Sequence, residues 1–168
     1  MLDLYTMANM DYQYLHEDFK QGKFGNLFCV GAQSVCERFI KHVIDLAQPQ
    51  VNTIDIMQVH SLKILARFCQ EHIPEFICDW NTVLLADGYY RNACYPVPDA
   101  IITNQTDTIN CNLAMETIHS AVEGFIKVHI QRLLNGRQSD TLEGANTTEK
   151  LNTFSSTEIE YKQPSLLE

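Results

Sequence analysis

Three tyrosines and one arginine crowd into residues 89–95 (YYRNACY), between Gly88 and the prolines at 96 and 98. Tyrosine joins a large apolar ring to a polar tip, a combination suited to groove walls and interfaces. The Arg91 guanidinium can hold a phosphate or carboxylate through two parallel hydrogen bonds. The same residues also suit a helix C-terminus, with Tyr90 and Tyr95 as packing and Arg91 satisfying terminal carbonyls. Both readings stay open on residue type alone. Gln33, Glu37 and Lys41 recur every fourth residue and stack on one helix face. That spacing favours a solvated stripe with a weak Glu–Lys pair over a polar seam beside a groove. His60 stands just before a helix start and reads as a hydrogen-bonding residue before it reads as a catalyst. The other histidines, at 16, 42, 72, 119 and 129, share no metal-ligand spacing, and no nucleophile–histidine–acid arrangement is legible.

The elements that must carry these residues are helical throughout. Residues 10–20 read as a helix stopped near Gly22. Residues 24–47 carry the clearest apolar stripe (Phe28, Gly31, Val35, Phe39, Val43, Leu46), ended by Pro49. A third helix is expected from Ser61, as N-cap, to His72, with Leu62, Leu65, Ala66 and Cys69 inward. Pro74 suits the first turn of a fourth, which would run into Gly88, Tyr89 and Tyr90, the chain breaking at Pro96 and Pro98. After a polar link at 103–110, a last helix is expected over 109–134. The expected fold is an all-α antiparallel bundle of four to five helices over residues 1–135, with a polar, acidic tail at 136–168. The tail reads as flexible or partner-ordered, with a loosely alternating stretch at 154–161.

Net charge is −9, and residues 1–135 alone carry 9 Lys/Arg against 15 Asp/Glu. Without a basic face to displace counterions, duplex DNA is excluded as a partner. Six scattered cysteines, never as Cys-x-x-Cys, read as small buried hydrophobes in a reducing compartment, with no metal and no cofactor. No apolar run approaches a membrane span, and acids at positions 3 and 11 argue against a leader. A cytoplasmic location is expected.

Four segments in order resemble the HEPN domains, small helical bundles of prokaryotic nucleotidyltransferase-associated systems. These are residues 22–27 (GKFGNL), 32–41 (AQSVCERFIK), 59–65 (VHSLKIL) and 85–96 (LADGYYRNACYP). The resemblance covers about residues 11–134. It implies a HEPN-like bundle that forms a two-fold homodimer with a groove between protomers, often paired with a minimal nucleotidyltransferase in toxin–antitoxin or stress systems. Ribonuclease members carry Arg, a polar residue and then His four to six residues on. Here Arg91-Asn92 begins that pattern, but residues 96–98 read Pro-Val-Pro, and Cys94 stands where the family's other form has Arg. The resemblance therefore implies a binding role more than a catalytic one. A nucleotide-like, polyanionic or RNA ligand would be held by Tyr90, Arg91 and Tyr95, with Glu37, Lys41 and His60 in support. The alternatives are a divergent endoribonuclease using Arg91 with His60, and a purely structural homodimer.

Overall fold

The computed structural model describes residues 3–94 and 102–153, and within them the chain is a helical bundle without strands. Helix α1 (Leu4–Lys20) begins six residues before the expected start, because the Asp3 carboxylate accepts the Thr6 N–H at 2.7 Å and caps it. The early turns were hard to see because α1 buries only Ala8 and Leu15 completely. Helix α2 (Asn26–Ala47) follows the expected stripe and goes further. Cys29, Ala32, Cys36, Ile40 and Ile44 are buried alongside Phe28, Val35, Phe39 and Val43, so α2 is enclosed around much of its circumference. Gln48, in the left-handed region at φ 45°, ends it just before Pro49. At Gly31 a Cβ would meet the Leu15 side chain at 3.0 Å, so the missing side chain lets α1 lie close against α2.

After a short 3₁₀ turn at Ile56–Gln58, α3 (Leu62–His72) buries Leu62, Leu65, Ala66 and Cys69 as expected. The fourth helix does not begin at Pro74. Residues 74–79 are a turn and an extended stretch in which Phe76 is buried and Ile77 is 79% exposed. Phe76 is pinned edge-on between Trp80 and Phe125, at 5.6 and 5.5 Å. A helix from Pro74 gives way to this anchoring, and α4 (Trp80–Val83) starts where Asp79 caps Thr82. A 3₁₀ turn (Leu84–Ala86) and Gly88, at φ +93°, then break the expected continuous helix, and α5 (Tyr89–Cys94) starts afresh.

Helix α6 (Gln105–Thr153) starts earlier and ends later than expected. Asn104 and Asp107 exchange side-chain–backbone hydrogen bonds at 3.1 and 2.8 Å, a reciprocal cap that starts the helix ahead of its first buried residue. Gly136 does not stop it, since a helical glycine costs only about 1 kcal/mol and no proline intervenes. The chain divides into two compact units, 1–127 and 128–168, so the expected boundary at 135/136 falls inside α6 and inside the second unit. The stretch at 154–161 lies outside the described residues. In the first unit Cys111, Ala114, Met115, Ile118 and Val122 of α6 join the buried face of α2 in one core. Burial also pushes the Cys69 and Cys78 thiols up to about 12, and Cys36 higher, leaving them protonated packing groups.

Between α1 and α6 the contact is more polar. The Tyr12 ring stacks on His119 at 4.3 Å and on His16 at 5.6 Å, and the Tyr5 hydroxyl donates to Glu123. Burial holds the His42 and His119 imidazoles below the usual 6.5.

Two predictions follow from this packing. Phe39 is fully enclosed whereas Leu27 is 85% exposed, so Phe39→Ala should cost about 3–5 kcal/mol in urea denaturation and Leu27→Ala under about 0.5. The depressed histidines set a pH dependence. The unfolded chain takes up protons that the folded chain refuses as pH falls below 6.5, so stability is full above that value and declines below it. The melting temperature should be lower at about pH 5.5 than at about pH 7.5, and His119→Gln should reduce that difference.

Candidate functional site

Gln33 is only 3% exposed, and both ends of its amide are engaged. Its Nε2 donates to the His60 carbonyl at 3.0 Å, and its Oε1 accepts the Tyr90 N–H at 2.7 Å. One side chain on α2 thereby ties the approach to α3 to the first turn of α5. A second tie comes from Asp87. Its carboxylate accepts the Leu62 and Lys63 N–H groups at 2.9 and 3.2 Å and the Ser61 hydroxyl at 3.2 Å. Ser61 occupies the N-cap position as expected, but its side chain makes no capping bond to the helix. The charge-assisted cap arrives from 25 residues away and fills the helix N-terminus with an internal anion.

Glu37 stands one turn beyond Gln33. Its carboxylate accepts from the Lys41 ammonium at 2.6 Å and lies 3.1–3.2 Å from the His60 Nδ1. The Glu37 and Lys41 side chains are 12% and 8% exposed, and that of His60 is 61% exposed. The expected solvated stripe of Gln33, Glu37 and Lys41 is therefore a mostly buried seam. Spacing could not reveal this, because α2 is covered on the polar face as well by the approach to α3 and by α5. The His60 ring lies nearly parallel to the Tyr90 ring, with centroids 5.3 Å apart and planes 18° apart. Beside this pair opens a cleft of about 360 Å³, lined by Gln33, His60, Ser61, Asp87, Tyr90 and Asn92.

Of the residues singled out in the sequence, Glu37, Lys41, His60 and Tyr90 come together here. Arg91 follows Tyr90 in α5, but its side chain and the whole of Tyr95 lie outside the described residues. Tyr89 faces another way. Its hydroxyl donates to Asp107 at 3.0 Å and anchors α5 to the start of α6, and burial raises its pKa, helped by that carboxylate. Asp87, Ser61 and Asn92 were missed as site residues. Asp87 precedes Gly88 and looks like an ordinary turn residue, and nothing local marks it as the cap of a distant helix. Gln33 was noticed for its spacing alone. Among the described residues no three His, Cys, Asp or Glu side chains converge as a metal site, and no helix is long and apolar enough to cross a membrane.

The cleft offers aromatic faces, amides and a hydroxyl. Lys41 and Glu37 pair with each other and do not line it, and the Asp87 carboxylate that does line it caps α3. That chemistry suits a planar, hydrogen-bonding ligand better than a bare polyanion. The chain matches no protein-family model, no curated protein and no solved structure.

Replacing Gln33 with Leu leaves the His60 carbonyl and the Tyr90 N–H without partners while nearly keeping volume. The variant should lose about 2–4 kcal/mol in chemical denaturation, with faster hydrogen exchange at the Tyr90 amide. A loss under about 0.5 kcal/mol would show that this amide does not hold the two segments together.

Proposed function

We propose that the chain is a non-catalytic, HEPN-like binding module that takes a nucleotide-like ligand in the cleft beside His60 and Tyr90. The observation that carries this reading is the parallel His60–Tyr90 pair at the rim of a polar cleft. A base can stack on the exposed face of such a pair, and each base–aromatic stack contributes about 1–3 kcal/mol. Amide and hydroxyl groups of Gln33, Asn92 and Ser61 line the wall beside it. With Lys41 paired to Glu37, Arg91 and Tyr95 are the further contacts proposed from the family resemblance. A two-fold homodimer docking a minimal nucleotidyltransferase, in a toxin–antitoxin or stress setting, is the assembly proposed with it.

Calorimetric titration with ATP and with a short single-stranded RNA tests the reading. Saturable binding is expected, and Tyr90→Ala should weaken it about fivefold to a hundredfold. Because stacking and neutral hydrogen bonds dominate, affinity should change little between about 50 and 200 mM salt. The absence of saturable binding to either ligand would sink the module reading in favour of a structural dimer.

One observation favours a second reading, a divergent endoribonuclease. Glu37 orients His60 as a carboxylate orients a general base. Expression of the chain beside its His60→Ala and Arg91→Ala variants separates the two readings. Growth arrest and RNA cleavage that depend on either residue would overturn the non-catalytic proposal.

A further inference from the structure

The hydrogen-bond character of the His60 ring is decided before any ligand arrives. Its Nδ1 lies 3.2 and 3.1 Å from the two oxygens of Glu37, whose Oε1 also accepts from Lys41 at 2.6 Å. An unprotonated Nδ1 would direct a lone pair at a carboxylate, which is repulsive, so in the neutral ring Nδ1 carries the hydrogen and donates it. The neutral Nε2 then has a lone pair and no hydrogen. It has no hydrogen-bond partner among the described residues, and the ring lines the cleft. A free neutral imidazole in water favours the opposite tautomer, so the carboxylate holds the less common form. Glu37 is itself held: it is nearly enclosed, and the ammonium on one side keeps its oxygens turned toward α3. His60 cannot trade this tautomer for the other without losing the bond to Glu37.

The rest of the lining sharpens what this means for a ligand. The Gln33 amide already bonds backbone at both ends, and the Asp87 carboxylate and the Ser61 hydroxyl already bond one another and α3, each with some hydrogen-bonding capacity to spare. The lining groups that make no bond within the wall among the described residues are the His60 Nε2 and the Asn92 amide. An amide side chain can donate or accept, so Asn92 adapts to its ligand, whereas His60 in the neutral form can only accept.

We propose that the Glu37–His60 pair makes the cleft selective for planar heteroaromatic ligands with an exocyclic amino group, the Nε2 of His60 accepting its N–H. This inference rests on the nucleotide-binding reading of the cleft and deepens it. The amino edge of adenine is such a donor, and an edge with only a carbonyl at that position is not. Glu37 is a positioning residue here, since it acts through the ring it orients.

The test uses the full chain and three nucleotides: AMP, its N6-methyl form and its N6,N6-dimethyl form. The monomethyl form adds bulk but keeps one N–H, and the dimethyl form removes the donor. Binding of AMP and of the monomethyl form is expected to be comparable, with the dimethyl form weaker by roughly tenfold or more. Nitrogen-15 spectra of the neutral His60 ring should show hydrogen on Nδ1 and none on Nε2. Lys41→Met keeps the carboxylate and should keep the selectivity. Glu37→Gln combined with Lys41→Met replaces the carboxylate with an amide that can pair with either tautomer, and the preference should shrink toward unity. A double variant that fails to fold leaves the decision to the wild-type spectra and the nucleotide series. Equal binding of AMP and the dimethyl form, or hydrogen on Nε2 in the wild-type spectra, overturns the selectivity while the cleft reading stands. Failure of all three nucleotides to bind, alongside ATP and RNA, overturns the cleft reading and the selectivity with it.

Discussion

A primary amide buried on a helix face must find partners for both its ends, and at Gln33 that requirement organises the molecule's polar side. The two groups it reaches, the His60 carbonyl and the Tyr90 N–H, lie 27 and 57 residues away along the chain. An unmatched polar group in that position would cost more than the bond itself contributes, so the amide fixes where both segments sit. Glu37 and Lys41 extend the same logic by one helical turn, exchanging hydration for each other and for His60. Charges held this way are poor sources of net stability but strong determinants of geometry. The cleft is the space left beside segments that these three side chains position.

The excess negative charge is spread along the sequence; Glu37 beside the cleft is paired with Lys41, and the Asp87 carboxylate in its lining is held by Ser61 and the start of α3. The proposed ligand would meet stacked rings and amides there, with long-range attraction contributing little to its capture.

The helical class, the extent of α2 and the inward face of α3 were legible because a 3.6-residue apolar repeat maps directly onto burial. Phe28, Val35, Phe39, Val43, Leu62 and Leu65 show this well, as each lies on its expected face. The misplaced fourth helix, the unused Ser61 cap and the buried polar stripe share one cause: a long-range contact outweighed a local preference. Pro74 would start a helix, but Phe76 is worth more wedged between Trp80 and Phe125. Ser61 has the chemistry of a cap, but Asp87 takes the backbone donors with a full charge. The polar stripe of α2 has the spacing of a solvent-facing row, and only the fold reveals that two segments cross over it. Four of the singled-out residues, Glu37, Lys41, His60 and Tyr90, meet at one place because a histidine, an aromatic and an acid–base pair are informative by type. Asp87 and Asn92 carry no such mark, and their roles exist only once α3 and α5 lie side by side.

The reciprocal cap at the head of α6 has a wider reach than starting a helix. Asp107 spends one oxygen on the Asn104 N–H and the other on the Tyr89 hydroxyl, the residue immediately before the cleft's aromatic rim. One carboxylate thus serves as a shared rivet between the longest helix and the shortest wall of the site. Fraying of the first turn of α6 would loosen Tyr89, and the proposed ligand, by stiffening Tyr90, would in turn hold that turn closed. Local order at the helix start and occupancy of the cleft are then two readings of one mechanical linkage, with Tyr89 as its lever arm.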